Sequence, residues 1–212
     1  NSHIAILARA MGIPTVMGAV HVPYAQPAAP ALVVAGYRGR LYSQPSDELR
    51  KQYQNIYQEE QILNKDLEGL RDEPAITQDG YRIPLWVNTG LITDALRSRE
   101  RGAEGVGLYR TEVPFMMKDR FPSEKEQTEI YRQQLEAFAP NPVTMRTLDI
   151  GGDKSLPYFP IKEDNPFLGW RGIRVTLDHP ELFLIQLRAM LQAAIDTDQL
   201  HILLPMVSNL EE

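Results

Sequence analysis

The chain has 212 residues, no cysteine, and 28 acidic against 22 basic residues, giving a formal net charge of -6. Hydrophobic residues at 43% and charged residues at 24% are globular proportions, which exclude global disorder, collagen-like repeats and a coiled-coil rod. The acidic balance weakens any global case for nucleic-acid binding, the lack of cysteine excludes disulfides and thiolate metal sites, and no apolar run approaches the ~20 residues of a membrane span.

Ser2 is placed to cap a short helix over residues 2–11, with Gly12 at its C-terminal end. Residues 13–18 read as a strand, and the Pro/Ala-rich stretch 25–30 as a loop. Residues 31–35 and 40–43 read as two strands joined by Gly36-Tyr37-Arg38-Gly39. This is the pattern of the tail of a small α/β domain. The chain starts at Asn1-Ser2-His3 without a Met or leader, and ends in what reads as a first helical turn at 208–212. The expectation is an internal piece of a longer protein.

Ser46 caps a long predicted helix, in which Leu49, Tyr53, Ile56, Leu63, Leu67 and Leu70 form a stripe at helical period. A rigid connector and an ordinary packed helix both fit that stripe. From about residue 80 strands and helices alternate. Strands are predicted over 82–88, 105–110, 143–150 and 201–207, and helices over 93–101, 123–138 and 180–194. Ser123 and Glu126 have capping-box spacing. Nearly apolar strands alternating with helices predict a parallel sheet covered by helices. On pattern alone, half of a (βα)8 barrel and an open doubly wound sheet both remain.

Three groups of residues suit phosphate chemistry. His3, in the first turn of a helix, sits where N–H groups and the helix dipole favour an anion, and its imidazole is a competent phosphoryl acceptor. Arg9 follows nearby. The plain alternative is an exposed histidine near a helix end. Arg110 and Arg146 fall near strand ends, where ligands of parallel α/β folds bind. Two guanidinium forks there suit a carboxylate and a phosphate. The alternative pairs them with Glu112 and Asp149 as structural ion pairs. The loop Asp149-Ile150-Gly151-Gly152-Asp153-Lys154 combines close backbone approach with a cation, and Arg171 and Arg174 lie further along. Trp170 and Phe167 read as packing residues, and His201, on an apolar strand, as a satisfied core residue. His21, His179 and His201 show no metal-ligand spacing.

Taken together, these segments resemble Enzyme I of the phosphoenolpyruvate-dependent phosphotransferase system. Asn1-Ser2-His3-Ile4-Ala5-Ile6-Leu7-Ala8-Arg9 resembles the family's phosphohistidine segment. Gly105-Val106-Gly107-Leu108-Tyr109-Arg110-Thr111-Glu112 resembles its second barrel strand. Arg146-Thr147-Leu148-Asp149-Ile150-Gly151-Gly152-Asp153-Lys154 and Asn165-Pro166-Phe167-Leu168-Gly169-Trp170-Arg171 resemble the loop after the third strand. Asn1 before Ser-His, and Val113-Pro114-Phe115-Met116, are most similar to the nitrogen-type paralogue. The sugar-type Enzyme I and the phosphoenolpyruvate synthase and pyruvate phosphate dikinase relatives are the competing enzymes. A non-catalytic regulatory scaffold of the same fold is the non-enzyme alternative.

The resemblance implies an α/β protein in three parts. Residues 1–45 would be the C-terminal part of a swivelling phosphohistidine domain, 46–72 a connector helix, and 73–212 the first half of a (βα)8 barrel. It implies phosphoryl transfer from phosphoenolpyruvate to His3 and on to a histidine-containing phosphocarrier protein, in the cytoplasm. Arg110 and Arg146 would bind the substrate, with Arg171 as a neighbour. Mg2+ is the implied cofactor, with ligands expected beyond Glu212. A homodimer through the barrel is the implied assembly, with neither nucleic acid nor membrane insertion involved. This stretch by itself is expected to be inactive.

Overall fold

The computed structural model describes residues 5, 8, 13–19, 32–151, 154, 156–161, 164 and 168–212. Two compact units divide the chain, Asn1–Glu73 and Pro74–Glu212.

In the first unit, β1 (Leu32–Ala35) and β2 (Arg40–Ser43) form an antiparallel hairpin, with Leu32 opposite Ser43 and Ala35 opposite Arg40. A 3-10 turn over Gly36–Arg38 joins them. The strand expected over 13–18 does not form, because Pro14 has no N–H to give a ladder and the Ile13 N–H bonds back to Ala8. Helix α1 (Asp47–Gly69) starts where predicted, with the Ser46 hydroxyl accepting from the Leu49 N–H at 3.3 Å. None of its 23 residues is buried, and Leu63, Leu67 and Leu70 are all more than half exposed. Among the described residues the later part of the stripe is therefore uncovered, whereas Leu49 and Tyr53 are half-buried and Tyr53 packs against Tyr42 with ring centroids 5.6 Å apart. A groove of about 1200 Å3 in this unit is lined by Val33, Val34, Tyr53 and Tyr57 among others, and it includes none of the arginines singled out at strand ends.

The second unit is a four-stranded parallel sheet in the order β3 (Val87–Thr89), β4 (Val106–Arg110), β5 (Val143–Arg146) and β6 (Leu200–Leu203). Sequential parallel strands linked by helices are the arrangement of consecutive βα units in a barrel. The connections carry α2 (Ile92–Glu100), α3 (Glu112–Met116), α4 (Glu124–Phe138), α5 (Ile173–Asp178) and α6 (Pro180–Ala193). One core packs Tyr109, Val143 and Met145 of the sheet against Tyr131, Leu135, Phe138 and Met190 of the helices. Because Val143 and Met145 face the helices, Arg146 emerges on the opposite face. A second core of Phe115, Leu148, Ile150, Leu156 and Val175 sits under the loop that follows β5.

The Ser123–Glu126 capping box forms as the spacing predicts. Several strands are shorter than expected. Pro84 interrupts the first, and the Leu85 N–H goes to the Glu104 carboxylate at 2.8 Å. The strand expected to reach Ile150 stops at Arg146, because the Leu148 N–H bonds to a side chain, Gln186, at 2.8 Å. The last strand stops at Leu203, before Pro205, and no helical turn forms over 208–212. His201 is exposed on β6, contrary to its expected place in the core. Ile202 and Leu203 beside it are also exposed, so an apolar strand pattern did not guarantee burial at this sheet edge. The one-turn helices α3 and α5 were not legible in the sequence. No described helix is long and apolar enough to cross a membrane.

Candidate anion-binding site at the strand ends

Arg110 and Arg146 are register partners on the adjacent strands β4 and β5. Neighbouring strands lie about 4.8 Å apart, so the two side chains leave the sheet side by side at its carboxyl end. Their environments differ. Arg146 is largely buried and holds two carboxylates, Glu112 through Nη2 at 2.5 Å and Asp149 through Nη1 at 2.9 Å. Arg110 is exposed and has no hydrogen-bond or ion-pair partner among the described residues. Its charge is felt at Asp94 in the first turn of α2, where burial raises the carboxyl above its usual range and Arg110 and Arg97 oppose the rise. The ion-pair alternative thus holds for Arg146 and fails for Arg110.

Two further cations complete the cluster. Lys154 Nζ lies 3.1 Å from Glu112 Oε1 and 3.0 Å from Asp149 Oδ2. Arg171 grips Asp149 with two parallel bonds, Nε to Oδ1 at 2.9 Å and Nη2 to Oδ2 at 3.1 Å. Among the described residues, Arg146, Lys154 and Arg171 thus gather around the carboxylates of Glu112 and Asp149, and Arg110 stands beside them. Glu112 is 1% exposed, and its Oε2 and the Nε of Arg146 are buried atoms with no hydrogen-bond partner among the described residues. A cluster of cationic side chains at the carboxyl end of a parallel sheet is a candidate place for a small anion.

Burial alone would raise the Asp149 carboxyl, but hydrogen bonds from Arg171 and Lys154, with the charge of Arg146, outweigh it and hold the group down to about 2 from an ordinary 3.8. A depressed carboxyl stabilises the fold fully above the unfolded value and loses that contribution as pH falls towards the folded one. Asp149 is thus expected to contribute fully above about pH 4 and to lose its share between about pH 4 and 2. In acid titrations of stability, Asp149→Asn should be weaker at neutral pH and lose less than the wild type across that window. Parallel curves for the two proteins would refute this account.

The loop after β5 puts Lys154 and Arg171 in place. Gly151 has φ +123°, and a Cβ there would lie 2.9 Å from the Trp170 carbonyl and 3.0 Å from Arg171 Cβ. Its N–H and C=O pair with the C=O and N–H of Lys154. Only glycine accepts both the dihedral and the close approach. Gly151→Ala is expected to lower stability by about 1–3 kcal/mol, measured by urea unfolding of the intact protein. An unchanged midpoint would show that the loop relaxes freely.

Of the residues singled out from sequence, Arg110, Arg146, Lys154 and Arg171 come together at one end of the sheet. Arg174 does not join them, because it binds Glu212 at 3.0 Å and the carbonyls of Leu168 and Gly169. Trp170 packs against Phe159 and His179, as a packing residue should. Asn1, Ser2, His3, Arg9, Gly152, Asp153 and Phe167 lie outside the described residues. The central parts of Glu112 and Asp149 were legible only as possible ion-pair partners. Among the described residues no group of three or more His, Asp or Glu side chains is placed to hold a metal ion. Glu112 and Asp149 already carry cations, so they do not fit a Mg2+ site.

Fold and cluster define an α/β domain with a candidate anion site at the carboxyl ends of parallel strands. Comparison with known proteins gives the family. Residues 64–212 match the PEP-utilising enzyme, PEP-binding domain, and residues 1–39 match the PEP-utilising enzyme, mobile domain. Over its whole length the chain is 50% identical to proteins named "Phosphoenolpyruvate-dependent phosphotransferase system" from Escherichia coli (strain K12) and Salmonella typhimurium, covering 28% of each. It is 44% identical to the "Phosphoenolpyruvate-protein phosphotransferase" of Staphylococcus carnosus, covering 37% of that protein. The chain belongs to the PEP-utilising enzyme family and is related to Enzyme I of the phosphotransferase system. It spans roughly a third of the length of these relatives.

Proposed function

We propose that the protein takes the phosphoryl group of phosphoenolpyruvate onto His3 and passes it to a histidine-containing phosphocarrier protein, acting as an Enzyme I in the cytoplasm. The observation that carries this reading is Arg110, a guanidinium with no hydrogen bond or ion pair among the described residues, held in register with Arg146 beside Lys154. Phosphoenolpyruvate offers a carboxylate and a phosphate to such a pair. Arg110 and Arg146 bind it, and Arg171 supports them through Asp149. As phosphorus leaves the enol oxygen for a ring nitrogen of His3, that P–O bond breaks and an N–P bond forms. The leaving group is the enolate of pyruvate, which then takes up a proton. Preorganised cations stabilise the charge that spreads over the transferring group.

Residues 1–45 form the C-terminal part of the mobile domain, 46–72 the connector and 73–212 the barrel portion. Asn1 and Val113-Pro114-Phe115-Met116 support the nitrogen-type paralogue. Mg2+ use and a homodimer through the barrel follow from the resemblance to Enzyme I.

The test is pyruvate release from phosphoenolpyruvate by the intact protein with Mg2+, measured against protein-bound phosphate. Pyruvate equal to acid-labile, base-stable phosphate, and neither with His3→Ala, supports the reading. Phosphorylation from ATP and not from phosphoenolpyruvate would replace it with the dikinase reading.

A further inference from the structure

Gln186 lies on the buried face of α6, at the head of a stripe continued by Ala189, Met190 and Ala193. A glutamine in that position has no apolar role. Its amide makes three hydrogen bonds to three different segments. Oε1 accepts from the Leu148 N–H at 2.8 Å, and Nε2 donates to Thr111 Oγ1 at 3.2 Å and to the Tyr131 hydroxyl at 3.0 Å. Thr111 Oγ1 then donates to the Arg146 carbonyl at 2.8 Å, and the Tyr131 hydroxyl to Gln127 Oε1 at 3.0 Å. Gln127 Nε2 donates to the Pro122 carbonyl at 2.8 Å.

The direction of every proton in this chain is fixed. A backbone N–H can only donate, so the amide oxygen must face Leu148 and the NH2 must face the two hydroxyls. Burial raises the Tyr131 phenol far above its ordinary value, so it stays neutral and keeps its proton to donate. Gln127, Tyr131, Thr111 and Gln186 are all buried, where a broken link leaves an unpaired polar group.

The anchored positions are those that flank the cationic cluster. Thr111 stands between Arg110 and Glu112, and Leu148 between Arg146 and Asp149. Thr111 and Leu148 themselves lie just past the ladder, whose last bond on this side runs from the Thr147 N–H to the Leu203 carbonyl at 2.9 Å. We propose that Gln186 is a positioning residue for this site: through Thr111 and Leu148 it fixes Arg110 and Glu112 against Arg146 and Asp149 without touching the substrate. The identity of the substrate rests on the function proposed above, whereas the positioning does not.

The experiment compares Gln186→Leu with Gln199→Leu in the intact protein. Gln199 is also a buried glutamine, and its Nε2 holds the Asn141 and Leu135 carbonyls at the opposite end of the strands. Both variants lose buried hydrogen bonds, so both are expected to melt at lower temperature. Per folded molecule, Gln186→Leu is expected to lose on the order of 100-fold in kcat/KM for phosphoenolpyruvate, with kcat and KM both affected, because small misplacement of binding groups has that effect. Gln199→Leu should change it little. Hydrogen exchange should quicken over residues 110–112 and 146–149 in Gln186→Leu only. If Gln186→Leu does not fold, Gln186→Glu keeps the volume and the Leu148 acceptor but loses donors, and the same differences should appear at smaller size. A kcat/KM within threefold of the Gln199→Leu value, or unchanged exchange at both strand ends, would overturn the proposal. A wild type that takes no phosphate from phosphoenolpyruvate would overturn the functional reading alone, and the exchange comparison would still decide the positioning.

Discussion

Arg110→Ala is expected to abolish most phosphoryl transfer while leaving the fold as stable as before. The side chain is exposed at the end of β4 and makes no ion pair or hydrogen bond among the described residues, so its removal costs there only the charge interaction with Asp94. Exposed substitutions of this kind change stability by about 0.5 kcal/mol or less. Losing one preorganised cation aimed at a transferring phosphoryl group has a far larger consequence, a fall of about 100- to 1000-fold in rate. Thermal unfolding and pyruvate release, measured on the same preparation, separate the two. A variant that melts much lower would show that Arg110 has a structural partner. A variant that keeps its rate would remove Arg110 from the site.

Arg146→Met is expected to lose both. Arg146 holds Glu112 and Asp149 together, and Glu112 is buried. Removing one partner of a buried pair leaves carboxylate charge under-compensated, with a loss of about 3–5 kcal/mol. Lys154 still reaches both carboxylates and Arg171 still grips Asp149, which places the expected value at the lower end. The double variant Arg146→Met/Glu112→Gln should recover part of the stability, because it removes the charge that lost its partner, yet recover none of the transfer rate. Recovery of rate in the double variant would mean that Arg146 acts only on Glu112 and not on substrate.

How far the sequence reveals this site depends on what each residue needs. The Ser123–Glu126 box and the Ser46 cap are local, and spacing alone reveals them. Arg110 and Arg146 were legible because strand ends are where parallel α/β sheets place ligand groups. The difference between them was not, since it depends on where Glu112, Asp149 and Lys154 meet, across up to 42 residues of chain. Gln186 left only a faint mark, a polar residue on the buried side of an apolar helix. The end of β5 is not legible for the same reason: the side chain that takes the Leu148 N–H just past it lies 38 residues further on. His201 is exposed although its strand is apolar, because β6 is the last strand of its sheet.

The most direct test of the account is to find where the phosphate goes. Intact protein, incubated with labelled phosphoenolpyruvate and Mg2+, would be digested at alkaline pH and the labelled peptide sequenced by mass spectrometry. The account predicts a single phosphorylated residue, His3, whose labelling rate falls about 100-fold or more in Arg110→Ala. Label on any other residue, or labelling of His3 that ignores the loss of Arg110, would contradict it.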